Sequence, residues 1–594
     1  MTKIKILIPK NANFQENFAA EELVFFLKEI ANVEGVISND CDNLDGAPFI
    51  SLGVTDIYLK NVGELNLAGT LTDDGYKITV KGGCAYVCGG AGQGTIFGVY
   101  RLLKQLFNLE IYAETVYTYD KNPFILNDLT IAEKPDIPMR TLGMYPVHLE
   151  KRAPGYGNKR YCYRLRLRQM DEGWGINNHS YFRVIPPAKY KDEHPDWYNE
   201  KVTQLCLTNE GLIAEYVKNM KKIIEDNPDE KLFMFGQEDT LDCCTCPKCT
   251  EIMNKYNGFS GLVLIFANRI AKELNEWLKV AHPERKVYFF TFAYHFSIVP
   301  PVKKISDGVY EPLYPDIKFE DNLGVLIAPL LSSATYALND PHAYVSLAQS
   351  YRCEDEKRLP LIDCFKGWRS MVNHIAVWTY NHNFYDYMTP VPMWGHFEQN
   401  FKFMKEMNAI HVFVEAGCSV QSNFAPMKIY VCSNLMWNNN LNENQLIDKF
   451  MSVYYQGAQK ELKEYFDYIH EHAKWMKETY DREQIFVHFD DDPNLRYLDK
   501  RFWPKDVLIK CVEFFDNALK NNLSEVVKDR VLIESLPAKF SLVELYHKEL
   551  DKEYVLKLID NMLEVSAKAG IVKACDCAPC TFEAYAEKWK KELE

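Results

Sequence analysis

Short apolar segments alternate with amphipathic helices between about residues 135 and 425. Each segment is too short for a buried helix and ends abruptly in polar residues, so the pattern indicates strands connected by helices. This α/β alternation is typical of a parallel sheet covered by helices, and eight strands are the number of a (β/α)8 TIM barrel. The predicted strands are Met139 to Met144, Gly175 to Asn178, Gln204 to Leu207, Leu232 to Phe235, Val287 to Phe292, Val325 to Ala328, Ile375 to Thr379 and His411 to Val414.

The segments on either side of this pattern differ from it and predict two further domains. A chain of 594 residues is too long for one hydrophobic core. Residues 1–130 combine strands, a hairpin and helices, and predict an α/β accessory domain. Residues 131–430 contain the predicted barrel. Residues 431–594 have apolar residues at helical spacing and predict a helical C-terminal domain.

The fourth predicted strand ends in two adjacent acidic residues. Leu232 to Phe235 is followed by Gly236 and then by Gln237, Glu238 and Asp239. Neighbouring carboxylates at the end of an apolar strand cost free energy unless they are solvated, paired or used in chemistry. Barrel enzymes place their catalytic residues where strands end. A polar turn is the simpler interpretation, and a catalytic loop is the alternative that we develop.

Other predicted strands end in side chains that suit a sugar. Amides and carboxylates hydrogen-bond hydroxyl groups, and aromatic rings stack on the apolar face of a sugar ring. The predicted substrate-binding residues are Arg140, Asn178, His179, Asn209, Gln237, Tyr294, Trp378, Tyr380 and Asn383. His179 and Trp378 also have a purely structural interpretation, as a satisfied histidine and a core residue. Their shared position at strand ends favours a binding site.

A pair of carboxyl groups would make such a site a glycoside hydrolase. Most of these enzymes use one carboxyl group as proton donor and another as base or nucleophile. In an exception to that scheme, the acetamido oxygen of the substrate is the nucleophile and a carboxylate orients it. Glu238 and Asp239 after one strand, with Glu415 after another, could serve either scheme. The sequence leaves open which of Glu238 and Asp239 donates the proton.

Four cysteines follow the acidic loop, namely Cys243, Cys244, Cys246 and Cys249. They could bind zinc as thiolates, but a structural zinc site usually has two separated ligand pairs. No second pair with matching spacing is nearby, so we favour reduced packing thiols and predict neither a metal nor a cofactor. The odd total of 17 cysteines fits a reducing compartment and predicts a cytoplasmic protein.

Charge and hydropathy exclude two classes of partner. The net charge of −14, with no basic stripe to offset it, argues against nucleic acid. No apolar segment approaches the 18 residues of a membrane span, and the N-terminus lacks the features of a secretory signal. An oligosaccharide is the expected partner, and the sequence does not determine the oligomeric state.

Three motifs in the N-terminal segment resemble a known accessory domain. They are Ala19-Ala-Glu-Glu-Leu23, Asp74-Gly-Tyr76, and Gly89-Gly90 followed by Gly94-Thr-Ile-Phe-Gly-Val-Tyr100. Together they look like the domain that precedes the barrel in α-glucuronidases and β-hexosaminidases. That domain is non-catalytic in those families, so the resemblance implies no site residue in it.

An ordered series of motifs extends the resemblance over residues 130 to 470. The motifs are Trp174-Gly-Ile-Asn-Asn-His179, His194-Pro-Asp-Trp-Tyr198, Gln204-Leu-Cys-Leu-Thr-Asn209, Gly236-Gln-Glu-Asp239 with the following Cys-x-Cys-x-x-Cys, Trp378-Thr-Tyr380 with Asn383, Glu415-Ala-Gly417 and Tyr454-Tyr-Gln-Gly457. They are similar to the family first catalogued as domain of unknown function 4838, which overlaps glycoside hydrolase family 163. Characterised members are endo-β-N-acetylglucosaminidases with a (β/α)8 barrel. The resemblance implies Glu238 or Asp239, with Glu415, as the acidic residues, although the family commonly has Asn where Glu238 stands.

The predicted function is therefore retaining, acetamido-assisted hydrolysis of β-linked N-acetylglucosamine-containing glycans. An inverting α-glucuronidase-like hydrolase is one alternative, and it would need a cation for the sugar carboxylate, with Arg140 as the candidate. A non-catalytic carbohydrate-binding barrel is another alternative. The acids at both strand ends favour an enzyme over a binding protein.

Overall fold

A computed structural model describes residues 2–39, 47–63, 71–144, 146–147, 158–256, 258–313, 318–332, 335–347, 358–383, 387–390, 393–416, 423–480, 498–574 and 581–594. The chain forms two compact units. The first comprises residues 1–169 and 424–459, and the second comprises residues 170–423 and 460–594. This division differs from the three consecutive segments predicted from the sequence, because residues 424–459 belong to the same unit as the N-terminal segment.

The first unit is a mixed α/β structure. Its strands are β1 (Thr2–Ile8), β2 (Val33–Asn39), β3 (Phe49–Leu52), β4 (Tyr76–Lys81), β5 (Cys84–Gly89), β6 (Glu110–Ala113), β7 (Val116–Thr118), β8 (Leu129–Glu133) and β9 (Met139–Gly143). Six of them form a sheet in the order β2-β1-β3-β5-β4-β8. The helices are Phe14–Ala31, Asp56–Asn61, Gly94–Phe107, Lys159–Arg164, Ala425–Trp437 and Glu443–Tyr454. The predicted hairpin between β4 and β5 is confirmed, with antiparallel pairing from Tyr76 to Lys81.

A buried ion pair lies in this first unit and corrects the prediction for Arg140. The side chains of Arg140 and Asp74 are completely buried and 2.9 Å apart, and Arg168 also binds Asp74. Arg140 donates its remaining hydrogen bonds to the backbone carbonyls of Ile137, Pro138 and Arg166. Each nitrogen of the guanidinium is therefore engaged within the protein, and Arg140 is a structural residue rather than a sugar-binding one.

The second unit contains a parallel sheet whose strands alternate with helices along the chain. Its strands are β10 (Trp174–Ile176), β11 (Leu232–Phe235), β12 (Tyr288–Ala293), β13 (Val302–Ser306), β14 (Val309–Pro312), β15 (Leu323–Ile327), β16 (Tyr344–Ser346), β17 (Arg358–Pro360), β18 (His374–Tyr380) and β19 (Ala409–Glu415). Its longer helices are Glu210–Asp226, Pro247–Lys255, Phe259–Ala281, Leu361–Met371, Phe397–Glu406, Gln459–Thr479, Lys505–Ala518, Glu525–Tyr546, Lys552–Ala569 and Phe582–Glu592. Short helical turns lie at Tyr181–Val184, Pro187–Tyr190, Pro195–Trp197, His295–Ser297 and, at the end of the first unit, Gln456–Ala458.

Six strands of this unit pair in sequence order, β10-β11-β12-β15-β18-β19, and every pairing is parallel. β11 and β15 are buried along their whole length, as expected for strands covered on both faces. The predicted parallel α/β sheet is confirmed. Its strands all end at the same edge, and several of the predicted site residues follow these strand ends.

One predicted barrel strand is wrong. Residues 204–207 form no strand, and only Leu205 makes an isolated antiparallel bridge, to Tyr198. The apolar run is buried, as a strand would be, but its hydrogen bonds differ. Gln204 uses its side-chain amide to bind the backbone of a neighbouring loop. Burial and short length are common to buried strands and buried loops, so the pattern could not separate them.

The helical C-terminal region is confirmed, with helices from Gln459 to Glu592 where apolar residues recur at helical spacing. Lys505–Ala518, Glu525–Tyr546 and Lys552–Ala569 lie within it, and Phe582–Glu592 is the last helix of the described residues. No helix of the described residues is long and apolar enough to cross a membrane.

Removal of one partner from the buried pair of the first unit should destabilise the protein. Burial raises the pKa of Asp74, but the cations of Arg168 and Arg140 outweigh it and lower the pKa to about 2, from 3.8. Asp74→Asn leaves Arg140 buried without its anion, and we expect a loss of about 3–5 kcal/mol in the free energy of unfolding. Denaturant unfolding at pH 7 measures this loss.

The half-buried neighbour Asp73 supplies the control. Asp73→Asn should change the unfolding free energy by less than about 1 kcal/mol, because its ion pair with Arg168 is long, 3.9 Å, and lies near the surface. Because the folded pKa of Asp74 is depressed, its stabilisation is present above about pH 4 and is lost as the pH falls towards about 2. Equal stability of Asp74→Asn and wild type would contradict this account.

Candidate functional site

The carboxyl edge of the parallel sheet brings together residues from several strands. Residues 177–179 follow β10, residues 236–239 follow β11, Tyr294 follows β12, and Glu415 is the last residue of β19. Tyr380, at the end of β18, pairs in register with Glu415. These strands come from separate parts of the sequence, and the sheet places their ends at one edge.

Gly236 allows the loop after β11 to approach the segment after β10. A Cβ atom at position 236 would lie 2.2 Å from the carbonyl oxygen of Asn178. The carbonyl of Gly236 accepts hydrogen bonds from the backbone N–H groups of Ser180 and Tyr181, and its own N–H donates to the Ser180 hydroxyl. Asn178 adopts a left-handed backbone conformation there, with φ of 51°, which asparagine tolerates better than most residues. A side chain at position 236 would separate the two segments.

Gln204 holds the acidic loop by its backbone. Its side-chain oxygen accepts from the N–H of Glu238 at 3.1 Å, and its side-chain nitrogen donates to the carbonyl of the same residue at 2.7 Å. That carbonyl also accepts from the N–H of Thr240, at 2.8 Å. The last contact closes a three-residue turn with Asp239 at its apex. The backbone that carries the two acids is consequently fixed, and their carboxylates bind different partners.

Glu238 binds the backbone of the segment that follows β10. Its Oε1 atom accepts from the backbone N–H of Phe182 at 2.8 Å. Burial raises the pKa of both Tyr181 and Tyr216, and the Glu238 carboxylate adds to the increase. Burial lowers the pKa of Arg183, and the same carboxylate opposes that change. Glu238 therefore lies among the residues that support the loop.

Asp239 faces the sheet edge. Its side chain is 62% exposed, and its Oδ1 atom accepts from the hydroxyl of Tyr294 at 3.1 Å. Burial raises the pKa of Tyr294, and the Asp239 carboxylate raises it further. The Tyr294 hydroxyl consequently stays protonated at neutral pH and donates to Asp239.

Glu415 is held by a tryptophan of the neighbouring strand. The indole N–H of Trp378 donates to Oε2 of Glu415 at 2.5 Å. The Trp378 ring packs edge-on against Phe413, with centroids 4.4 Å apart, which restricts the orientation of the indole. The Trp378 indole is therefore fixed as a donor, and its predicted contact with a sugar stays a prediction.

Two tyrosines lie within electrostatic range of the carboxylates of both Asp239 and Glu415. Burial raises the pKa of Tyr294, and both Asp239 and Glu415 contribute to the increase. Burial likewise raises the pKa of Tyr380, with contributions from Tyr294, Glu415 and Asp239. Tyr380 pairs in register with Glu415, and Tyr294 donates to Asp239, so we group these four residues as one cluster at the sheet edge.

His179 lies beside this cluster. Its Nδ1 atom is 2.5 Å from the carbonyl of Gln237, and its Nε2 atom is 3.9 Å from Oδ1 of Asp239. A carbonyl only accepts, so Nδ1 has the hydrogen and Nε2 is the nitrogen that faces the carboxylate. The ring also packs against Phe292, at 5.2 Å between centroids. This arrangement holds a polar ring nitrogen next to Asp239.

Three more predicted residues are buried or bound within this unit. Asn209 accepts from the N–H of Leu212 as the cap of helix Glu210–Asp226, and it donates to Asp196. Its amide is thus used by the scaffold, which corrects its prediction as a sugar ligand. Gln237 is fully buried and bonds to the Tyr294 carbonyl and the Ser297 hydroxyl, so it positions Tyr294. Asn383 is buried three residues beyond β18, and its contact with a sugar stays a prediction.

Sequence reasoning missed the residues that support the loop. Gln204, Ser180 and Ser297 all bind its backbone or side chains. Each stands in a polar position beside an apolar run, but polar residues near strand ends are common. Only the fold reveals that Gln204 contacts Glu238, 34 residues away.

The comparison with protein families finds a match over most of the chain. The model of the family described as "Domain of unknown function (DUF4838)" matches residues 112–467, more than half of the chain. This range includes all the site residues named above.

Among curated proteins, alpha-glucuronidase A of Emericella nidulans is 22% identical over 142 residues. The match covers 24% of this chain and 15% of that enzyme, so the chain spans only a small part of this relative.

Among solved structures, a GH115 4-O-methyl-α-glucuronidase with specificity for decorated arabinogalactans has a TM-score of 0.57 and 10% identity. The match covers 96% of this chain and 76% of that one. A GH138 enzyme targeting pectin rhamnogalacturonan II has a TM-score of 0.47 and 13% identity, over 100% of this chain and 98% of that one. At 10% identity, the similarity to the GH115 enzyme shows a shared fold.

Loss of the Tyr294 hydroxyl should impair any reaction that uses Asp239. Tyr294→Phe removes the hydrogen bond to Oδ1 but preserves the packing of the ring. A hydrogen bond to a charged group is worth about 1.5–3 kcal/mol, so we expect kcat/KM of such a reaction to fall about 10- to 100-fold.

The matched control is Tyr288, at the start of β12, the strand that precedes Tyr294. Tyr288→Phe removes a hydroxyl at the opposite edge of the sheet and should leave kcat/KM within about twofold of wild type. Equal losses in the two variants would mean that the hydroxyl of Tyr294 has no special role.

Proposed function

This chain belongs to the DUF4838 family, and we propose that it is a glycoside hydrolase with Asp239 and Glu415 as its two carboxyl groups. The observation that supports this assignment most directly is the position of both acids at the carboxyl edge of one parallel sheet, where Tyr294 donates to Asp239 and Trp378 donates to Glu415. Two carboxyl groups that flank one space are the usual equipment for glycosidic bond hydrolysis. The glycosidase names of the similar proteins agree with this chemistry.

The two acids differ in a way that suggests separate roles. Asp239 is exposed at the apex of its turn, and its Oδ1 atom is bound by Tyr294. Its Oδ2 atom can therefore reach a glycosidic oxygen, and we assign Asp239 as the proton donor. Glu415 is half-buried and held by Trp378. A fixed carboxylate suits the orientation of a reacting group.

We further propose that the substrate is a β-linked N-acetylglucosamine-containing glycan. In this scheme, the substrate acetamido oxygen attacks the anomeric carbon while Glu415 orients the acetamido group. Asp239 donates its proton to the leaving oxygen as the glycosidic bond breaks. The same carboxylate then takes a proton from water, which opens the cyclic intermediate with net retention of configuration.

The proposal also covers the catalytic fold, the role of the first unit and the location of the enzyme. The six parallel strands in sequence order would form most of a (β/α)8 barrel, which we propose as the catalytic fold. The first unit would act as a non-catalytic accessory domain. A cytoplasmic enzyme of this kind would act on imported oligosaccharides.

An α-glucuronidase-like activity is the second candidate. The curated relative and the GH115 structure are both α-glucuronidases, which favours it. A uronic acid requires a cation for its carboxylate, and Arg140 is engaged with Asp74. Of the predicted site residues, His179 lies next to Asp239, and it could supply that charge only in its protonated form.

Substitution of Glu238, Asp239 and Glu415 should distinguish the two catalytic acids from the acid that supports the loop. General acid catalysis contributes about 10²- to 10⁴-fold, so Asp239→Asn and Glu415→Gln should each lower kcat by that range. Glu238→Gln keeps an oxygen that can accept from Phe182, and its kcat should fall less than about tenfold. Steady-state hydrolysis of an N-glycan oligosaccharide measures all three.

The leaving group distinguishes the two roles. Asp239→Asn should recover activity on an aryl glycoside whose leaving group needs no proton, and Glu415→Gln should not. If Glu238→Gln were the most impaired variant, the assignment of Asp239 would be wrong.

Product analysis tests the proposed substrate. We expect hydrolysis of N-acetyl-β-glucosaminides and initial release of the β-anomer in proton NMR. Fluorination of the acetamido methyl group should slow the reaction, because it makes the attacking oxygen less nucleophilic. Hydrolysis of α-glucuronides with inversion, and none of acetamido sugars, would support the second candidate instead.

A further inference from the structure

Four cysteine sulfurs converge beside the acidic loop. They belong to Cys206, Cys244, Cys246 and Cys249, and all four Sγ atoms lie within 4.8 Å of one another. The sequence places Cys243 in the same group, but in the fold Cys206 is the fourth member. Cys206 is 38 residues before Cys244, which is why spacing alone does not reveal it.

The distances between the sulfurs fit one small ion. Cys206 Sγ is 3.7 Å from Cys246 Sγ and 3.9 Å from Cys249 Sγ. Zinc binds thiolates at about 2.3 Å, so tetrahedral geometry places two sulfurs about 3.8 Å apart. The sulfurs thus lie near the corners of a zinc tetrahedron.

A disulfide or simple packing of thiols fits the cluster less well than a metal does. The four cysteines are free thiols, and 3.7 Å is far longer than a disulfide bond of about 2.05 Å. Packing alone does not require four sulfurs to face one another, because buried thiols normally pack as small apolar groups among carbon atoms. Tetrahedral sulfur ligation selects zinc or iron among the common metals.

Polar groups around the cluster suit a set of thiolates. The backbone N–H of Cys249 points at Cys246 Sγ, at 3.5 Å, and the Thr208 hydroxyl is 3.2 Å from Cys249 Sγ. Cys246 caps helix Pro247–Lys255, whose N-terminus favours negative charge. Cys206, Cys244 and Cys249 are buried, which protects them from solvent. These contacts would neutralise part of the negative charge of four thiolates.

We propose that Cys206, Cys244, Cys246 and Cys249 bind one structural zinc ion. Four protein ligands leave no open position, so the ion has a structural role rather than a catalytic one. It would connect the segment that contains Gln204 with the segment that follows Asp239. Gln204 binds both the N–H and the carbonyl of Glu238. The metal would therefore hold the acidic loop in place through two segments, the one that contains Gln204 and the one that follows Asp239.

Metal analysis of the purified, untagged protein tests this proposal. Inductively coupled plasma mass spectrometry should find one zinc per chain after dialysis against a weak chelator. Replacement of zinc by Co(II) should give the thiolate charge-transfer and intense visible bands of a tetrahedral sulfur site. Both measurements use the wild-type chain and need no glycosidase activity.

Variants identify the ligands. Cys206→Ser should lose zinc, whereas Cys243→Ser, the matched control from the same cysteine-rich segment, should retain one zinc per chain. Thr208→Val keeps all four sulfurs but removes the hydroxyl near Cys249, and should weaken zinc binding about tenfold. The latter variant remains informative if Cys206→Ser fails to fold.

Three results would overturn the proposal. They are the absence of stoichiometric zinc from the wild-type protein, the presence of iron in its place, and unchanged zinc content in folded Cys206→Ser. Because the metal content is independent of substrate, a failed glycosidase assay would not affect this test.

Discussion

The side chain of Gln204 determines the geometry of the acidic loop. One amide binds both the N–H and the carbonyl of Glu238, which are the two groups that a neighbouring strand would otherwise bind. In the adjoining turn, Glu238 binds the backbone of Phe182 and Asp239 binds the hydroxyl of Tyr294. The Gln204 contact fixes the backbone from which both carboxylates reach these partners.

The orientation of the turn explains why only one of two adjacent acids joins the cluster with Glu415. Glu238 binds the backbone of residue 182, on the side of Tyr181 and Tyr216. Asp239 binds Tyr294, whose ring the buried Gln237 helps to position. The buried tyrosines are protonated donors near negative charge, an arrangement suited to a site that must keep two carboxylates close together.

Much of the fold follows from local pattern, whereas the site depends on distant contacts. Leu232 to Phe235 is apolar and short, and it forms β11 with the predicted bounds. Gln204 to Leu207 has the same character but forms a loop, because its hydrogen bonds go to a segment 34 residues away. Arg140 lies at a strand, as catalytic cations often do, yet its anion is in the N-terminal segment. Periodicity reports which side chains are buried but not what they bind.

The thiol cluster likewise depends on a contact between residues that are distant in sequence. Three of its cysteines are close together in sequence and form a visible group, but the fourth lies in the loop for which the pattern predicts a strand. Because the pattern predicts a strand for residues 204–207, it does not reveal the contacts of Gln204 and Cys206. One short segment therefore supplies the amide that holds the acidic turn and the fourth sulfur beside it.

The most direct measurement is a crystal structure of the protein with an N-acetylglucosamine-derived thiazoline, a stable mimic of the cyclic intermediate. The account predicts that the sugar ring lies at the carboxyl edge of the parallel sheet, with Glu415 bound to the thiazoline nitrogen and Asp239 near the anomeric carbon. A ring bound elsewhere, or one contacted by Glu238 in place of Asp239, would contradict it.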